Sequence, residues 1–240
     1  MINLSLEHIF LSIFFISGGT VGGWALAGKL GGDEAASSFL QVGIIVVLVM
    51  AATQFLFFSL GKKRLIYRVV FNIAFGCGLV WFMLCLLLPI IWVEKVGVIE
   101  KGGLFLFLVV LCVANVVKGG AQFKLKWGEK GEAALGRHYN IEENTVDWPK
   151  VLAPMKFSVE LYIPGISKSM SPFISVAIIL SMLTGLSFRN VFPTFSLFAW
   201  GIPSCLVISI FMQLIGLGIA QIAKLAALER QRGKSIKPTI

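Results

Sequence analysis

Six stretches of the chain are almost uninterruptedly apolar, and each is about as long as a helix that crosses a bilayer. A transmembrane helix needs about 20 mainly apolar residues, because a rise of about 1.5 Å per residue has to cover about 30 Å of hydrocarbon. The pattern therefore predicts an all-α polytopic membrane protein with six transmembrane helices. Their expected bounds are residues 10–30, 39–60, 69–92, 102–117, 172–188 and 198–225.

The fourth stretch and the break between the last two stretches are the least clearly defined parts of this pattern. The fourth stretch is short and lies between Lys101 and Lys118, whose long side chains could reach the interface and extend the helix. An arrangement with five spans therefore stays open. The last two stretches are separated only by Arg189 and Asn190, with prolines nearby, which predicts a tight hairpin between two helices.

Composition agrees with a membrane protein. Of 240 residues, 57% are hydrophobic and only 14% are charged, and the mean hydropathy of +0.89 is too high for an ordinary soluble domain. The chain divides into helices 1–4 (residues 1–117), a long polar segment (residues 118–171), helices 5 and 6 (residues 172–228) and a basic tail (residues 229–240).

The basic residues predict an orientation. Lys62, Lys63, Arg64 and Arg68 follow the second stretch without an acidic residue among them, which favours a cytoplasmic location for this connection. The long polar segment and the tail are also rich in Lys and Arg. Six spans place all three regions on one side, with both termini in the cytoplasm and the protein in the cell inner membrane. This topology accounts for the net charge of +9, so we expect membrane lipids and no nucleic acid as partners.

The first apolar stretch carries small residues at helical spacing. Gly18 and Gly22, Gly19 and Gly23, and then Ala27 fall at intervals of four residues. Such a face lets two helix backbones approach closely, which is a main route to helix association in lipid. We predict a helix-packing interface here, either with another helix of the same chain or in a homo-oligomer or partner contact.

Few polar residues interrupt the apolar stretches, and those singled out here are the uncharged amides Asn and Gln. Hydrogen bonds between helices are worth about 0.6–2 kcal/mol in lipid, so a structural role is expected. Lining a polar pore is the alternative, for which Gln54 and Gln213 are the first candidates. The intramembrane polar residues are Gln54, Asn72, Asn115, Gln213 and Gln221.

The polar segment contains two stretches in which apolar and polar residues alternate, residues 123–127 and 155–163. A period of two predicts strands, and the two could pair as a β-hairpin in a small cytoplasmic lobe. The alternative is that both lie flat on the lipid surface. The residues expected to face a partner are Trp127, His138, Tyr139 and Trp148.

The side chains that usually carry catalysis are sparse. His138, Glu142, Glu143 and Asp147 form the one cluster that could hold a divalent cation, and we interpret it as a solvated acidic turn. The four cysteines all lie in apolar stretches, where small packing residues are expected. The sequence therefore predicts no cofactor, no metal site and no enzymatic activity.

These observations favour a non-enzymatic membrane protein that binds another membrane or cytoplasmic protein. A membrane subunit or accessory of a larger assembly, such as a secretion or conjugation apparatus, is the leading hypothesis. An immunity protein against a membrane-acting toxin and a small oligomeric channel or transporter for an uncharged solute are the alternatives. The partner, the solute and the oligomeric state do not follow from the residues.

Overall fold

The computed structural model describes residues 6–188 and 191–239, without the side chains at positions 168, 171, 172, 175, 186 and 193. The turn predicted at Arg189 and Asn190 lies outside the described residues. The helices are, in chain order, α1 (Leu6–Gly61), α2 (Leu65–Leu87), α3 (Val98–Lys126), α4 (Glu132–His138), α5 (Trp148–Leu152), α6 (Ser171–Phe188) and α7 (Pro193–Arg232). Short 3-10 helices occupy Leu88–Trp92, Ala153–Met155 and Lys168–Met170, and a π-helical turn occupies Trp127–Gly131.

The apolar helices make the chain a multi-pass membrane protein. Four described helices are long and apolar enough to cross a membrane, and a shorter apolar helical segment lies within α6. The four are Leu6–Gly61, Leu65–Trp92, Val98–His138 and Thr194–Arg232, and the shorter segment is Val176–Gly185. The prediction of an all-α membrane protein is confirmed at this level.

Helix α1 folds back on itself at Gly32. Its 56 residues would extend about 84 Å if straight, far more than a bilayer requires. Gly32 has φ 74° and ψ −168°, a conformation essentially restricted to glycine. The first arm (residues 6–31) and the second arm (residues 33–61) run antiparallel, since Gln54 Nε2 donates to Ser12 Oγ at 2.5 Å. The arms contain the first two predicted stretches.

Contacts at glycines define the relative directions of the other helices. The first arm runs parallel to α2, since Gly19 contacts Phe82 and Gly78 contacts Ile16. Likewise α3 runs parallel to α7, since Gly201 contacts Leu104 and Gly216 contacts Val116. Helix α7 is antiparallel to α2, through the contacts of Gly218 with Ile73 and of Gly76 with Ile215, and it is antiparallel to α6, through the contact of Gly185 with Ala199. The C-terminal ends of the second arm, α3 and α7 therefore share one end of the bundle, which we call the lobe end.

The helices α3 and α7 are in backbone contact near the lobe end. Gly119 lies against the main-chain carbonyl of Gln213, and Gly216 lies against that of Val116, so a Cβ at either glycine would overlap a main-chain oxygen. Lipid is as apolar as the helix surfaces, so association within it depends on such close packing rather than on the hydrophobic effect. The two glycines therefore set the distance between these helices.

The β-hairpin predicted from the two alternating stretches is wrong. Residues 123–127 continue α3 into the π-helical turn, and Phe123 and Trp127, four residues apart, share a buried helical face. Residues 156–167, the extended segment, are not part of the sheet among the described residues. The sheet instead has three short strands: β1 (Tyr139–Asn140), β2 (Thr145–Val146), antiparallel to β1, and β3 (Lys237–Pro238), parallel to β2.

A small polar lobe covers the lobe end of the bundle. It comprises residues 127–155 together with residues 229–239, and its core is continuous with the ends of α2, α3 and α7. In the C-terminal segment, Ile236 is 1% exposed and its carbonyl accepts a hydrogen bond from Leu65 N at 2.9 Å. This segment is therefore part of the lobe.

The contact between α3 and α7 gives a first prediction. Gly119→Ala is expected to destabilise the protein by about 1–3 kcal/mol, because the new methyl group meets the main chain of α7 and forces the helices apart. Thermal unfolding of the detergent-purified protein measures the effect. The matched control is Gly120→Ala, whose Cβ would lie 3.8 Å from the nearest heavy atom and whose helix propensity rises. Equal losses at both positions would contradict this assignment.

Candidate functional site

The polar lobe is built around stacked aromatic rings. The rings of Trp127 and Trp148 are 5.6 Å apart between centroids, and those of Phe123 and Phe157 are 5.9 Å apart, both pairs stacked. Trp148 is 0% exposed and Trp127 is 6% exposed. Their burial removes both tryptophans from the partner-facing set predicted above. For Trp127, the sequence feature that indicates burial is its spacing of four residues from Phe123, which places both rings on one helical face.

Both indole nitrogens have hydrogen-bond partners. Trp148 Nε1 donates to Gln221 Oε1 at 3.0 Å, which ties the lobe to α7. Trp127 Nε1 donates to Glu132 Oε1 at 2.8 Å, and Lys224 Nζ donates to the same oxygen at 2.8 Å. These two donors lower the pKa of the Glu132 carboxyl below its ordinary value. The tryptophans thus serve as links between the lobe and the bundle.

A second link joins three parts of the chain through Glu229, a carboxylate only 7% exposed. Arg64, in the connection between α1 and α2, binds it with two nitrogens, and this carboxylate raises the pKa of the guanidinium. Ile236 N donates to Glu229 Oε1 at 2.9 Å. The carboxylate therefore fixes the C-terminal segment against both α7 and the start of α2. A buried ion pair of this kind depends on such additional hydrogen bonds.

The other two predicted partner-facing residues lie nearer the surface. His138 ends α4 and is half-buried, and its carbonyl accepts from Asp147 N at 3.2 Å. The Tyr139 ring lies under the Arg232 guanidinium, 3.6 Å from its centroid, and the Tyr139 hydroxyl donates to Asn144 Oδ1. Both line a surface cleft of about 350 Å³ that also contains Arg137, Glu143, Asp147 and Lys150.

Asp147, one of the two acidic residues of this cleft, has a structural role. Asp147 Oδ1 accepts from Lys150 N at the start of α5, and Asp147 Oδ2 pairs with Lys150 Nζ at 2.9 Å. These contacts lower the pKa of the Asp147 carboxyl. Among the described residues no three His, Cys, Asp or Glu side chains are placed to share a metal ion.

The most exposed apolar residue of the lobe is Ile141, in the turn between β1 and β2. Its exposed fraction is 80%, and Asn140 Oδ1 accepts from the main-chain N–H groups of Glu142 and Glu143, which orders the turn. Burying such a side chain against a partner is worth about 1.5–3 kcal/mol. The sequence did not single out Ile141, because its exposure depends on the pairing of two very short strands.

The intramembrane amides Asn115 and Gln213 face each other beside the extended segment. Gln213 Nε2 donates to Asn115 Oδ1 and to the Glu160 carbonyl, both at 2.5 Å. Asn115 Nδ2 donates to the Tyr162 carbonyl at 3.1 Å. Both amides are buried. The two amides bond to each other and to the main chain. The structure therefore brings together two of the predicted intramembrane polar residues, and we call this pair the amide cluster.

The remaining amides lie apart from this cluster. Gln54 is paired with Ser12 inside the α1 hairpin, and Gln221 accepts from the lobe. Asn72 Oδ1 is buried without a hydrogen-bond partner among the described residues, as is Gln54 Oε1. Asn72 lines a groove between α2 and α7.

The small-residue face of the first arm is divided between two environments. Gly19 contacts Phe82 and Gly23 contacts Phe39 and the Cys85 carbonyl, while Ala27 is 0% exposed. A Cβ at Gly18 or at Gly22 would meet nothing within 4 Å. The first three residues therefore pack within the chain, and the other two face outward.

The amide cluster gives a second prediction. Gln213→Ala is expected to destabilise the protein by about 1–3 kcal/mol, since it leaves Asn115 and the Glu160 carbonyl buried with fewer partners. It should also increase proteolysis within the extended segment. The control is Gln122→Ala, which removes a hydrogen bond to Ser158 of the same segment at an exposed site. A comparable loss from the control would show that burial is not the decisive factor.

Comparisons with protein families, with characterised proteins and with solved structures find no match to this chain. The features of the chain that bear on its function are the polar lobe with its cleft and exposed Ile141, the amide cluster, and the outward-facing glycines of the first arm.

Proposed function

We propose that this chain is a non-enzymatic protein of the cell inner membrane that crosses it six times, with both termini in the cytoplasm. The spans are the two arms of α1, α2, α3, α6 and α7. Two observations support this threading. The helix directions deduced from the glycine contacts alternate along the chain as six crossings require. The lobe end carries the basic connection at Lys62 and Lys63 and the basic C-terminal segment, as the positive-inside rule expects.

The protein acts by binding another protein, as a membrane subunit or accessory of a larger assembly such as a secretion or conjugation apparatus. The observation that carries this proposal is the exposure of Ile141 on an ordered turn of a lobe that is tied to the bundle. The ties through Glu229, Gln221 and Glu132 hold the lobe in one orientation, so little conformational entropy has to be lost on binding.

The contact surface includes the cleft beside Ile141. Arg137 gives it a positive group and Glu143 a negative one, while Lys150 and Asp147 pair with each other, so it suits a partner with mixed charge around an apolar anchor site. Gly18 and Gly22 form a second candidate contact within the membrane, for a partner helix or a second copy of this chain.

The alternative of a small oligomeric channel or transporter for an uncharged solute, lined by the intramembrane amides, has less support. The Asn115 and Gln213 amides are bonded to each other and to main-chain groups rather than aligned along a passage. The immunity-protein alternative is itself a case of protein binding, and it shares the lobe surface with the leading proposal.

Topology can be tested with single cysteines. Cysteine at Lys62 or Glu142 is expected to react with a membrane-impermeant maleimide only after the cells are opened, whereas cysteine at Lys95 reacts in intact cells. All three positions are exposed, so accessibility reports the side of the membrane rather than burial. The variants are made in a background in which Cys77, Cys85, Cys112 and Cys205 are replaced by Ala or Ser. Reaction of the Glu142 site in intact cells would invalidate the threading.

Binding can be tested by affinity purification of the full chain from native membranes. Ile141→Asp is expected to lower recovery of a stoichiometric partner at least tenfold, as for the loss of a central apolar anchor worth about 1.4 kcal/mol or more. Ile99→Asp is the matched control, because Ile99 is 88% exposed at the opposite end of the bundle. Unchanged recovery with Ile141→Asp, or purification of the chain alone with solute conduction in liposomes, would rule out the proposal.

A further inference from the structure

A groove of about 700 Å³ runs between α2 and α7 beneath the polar lobe. One wall is formed by α2 from Val69 to Leu79 and the other by α7 from Leu214 to Gln221. The end of the groove nearest the lobe is closed by Leu152 of the lobe and by Phe157 of the extended segment. The groove is thus bounded by helices of the membrane region on two sides and by the lobe on the third.

The groove begins at the level where α2 leaves the polar region. Arg68 is the last charged residue of α2, and the next charge along the chain is Glu94. Ten residues separate Val69 from Leu79, so the groove reaches about 15 Å into the apolar part of the bundle. Its upper walls include Phe75, Leu79 and Leu214. An occupant must therefore be apolar over most of its length.

The end near the lobe is polar and positively charged. Lys156 lines it and is exposed, with its backbone held in the left-handed conformation at φ 43°. Asn72 and Gln221 are the polar residues that line the same end. An occupant with an anionic group at this end would complement the ammonium of Lys156.

The shape and lining of the groove suit an extended acyl chain. Over its length of about 15 Å the groove is bounded by apolar side chains of both helices, among them Ile73, Leu79 and Leu214. Acyl chains are present at this depth of a bilayer in any case.

We infer that this groove is a binding site for an anionic phospholipid of the leaflet at the lobe end. Its acyl region lies between α2 and α7, and its phosphate lies at Lys156. The acyl chain alone contributes little selectivity, because surrounding lipid is equally apolar. Selection comes from the charged end: a lysine near anionic headgroups contributes about 1 kcal/mol, a preference of about fivefold.

The test uses the full chain in vesicles of equal parts phosphatidylglycerol and phosphatidylethanolamine. A trace of either lipid carries a photoactivatable acyl chain, and adducts are mapped by mass spectrometry. Phosphatidylglycerol adducts are expected to concentrate on the groove, at Leu79 and Leu214, relative to exposed Leu48 and Val109 elsewhere on the bundle. Lys156→Gln should lower the ratio of phosphatidylglycerol adducts to phosphatidylethanolamine adducts in the groove about fivefold, because it removes the preference for the anionic headgroup. Lys234→Gln, at an exposed lysine outside the groove, is the matched control.

A second variant tests the apolar part. Gly76→Phe places a ring in the groove and should remove groove adducts of both lipids; a Cβ at this position would be in ordinary van der Waals contact with Ile215, at 3.8 Å. If this variant unfolds at lower temperature than the wild type, Leu79→Trp replaces it. Even labelling of all lipid-facing residues, or equal effects of Lys156→Gln and Lys234→Gln, would overturn the inference. Exclusion of the lipid by a protein segment crosslinked to the groove in native membranes would also overturn it.

Discussion

Main-chain N–H and C=O groups that are removed from water need hydrogen-bond partners, and this constraint governs how the extended segment can lie beside α3 and α7. A non-helical main chain packed against two helices has to find those partners in their side chains. Here the partners are Gln213 and Asn115, which bond to the main chain at Glu160 and Tyr162. The segment passes from the lobe towards α6 along this route, so the position of α6 depends on the same two amides.

These amides can meet only because α3 and α7 approach closely. Gly119 faces the carbonyl of Gln213 itself, one helical turn beyond Asn115, so the glycine contact and the amide pair occupy the same region of the interface. Close packing and hydrogen bonding therefore support each other here. A larger residue at Gly119 would disturb both, whereas an exposed polar contact such as that of Gln122 is independent of the interface.

The polar lobe extends this organisation beyond the membrane region. Its aromatic core begins at the end of α3 with Phe123 and Trp127. Glu132 binds Lys224 of α7, and Glu229 binds Arg64 of the connection before α2. The lobe is thereby a continuation of the bundle rather than a flexible loop. A surface on such a lobe is held in a defined orientation to the helices, as the proposed binding role requires.

The sequence alone determined the class of protein, because continuous apolar stretches have no stable alternative to helices in lipid. It also located the two arms of α1, the glycine face and the amides, which are local in character. The sequence could not assign the alternating stretches. The apolar residues Phe123, Leu125 and Trp127 fit the period of a strand. They are helical in the structure because α3 continues through them, so that Phe123 and Trp127 pack into the core of the lobe. Only the tertiary structure decided that Trp148 is buried, that Ile141 is exposed and that the C-terminal segment joins the lobe, since each depends on contacts between residues far apart in the chain.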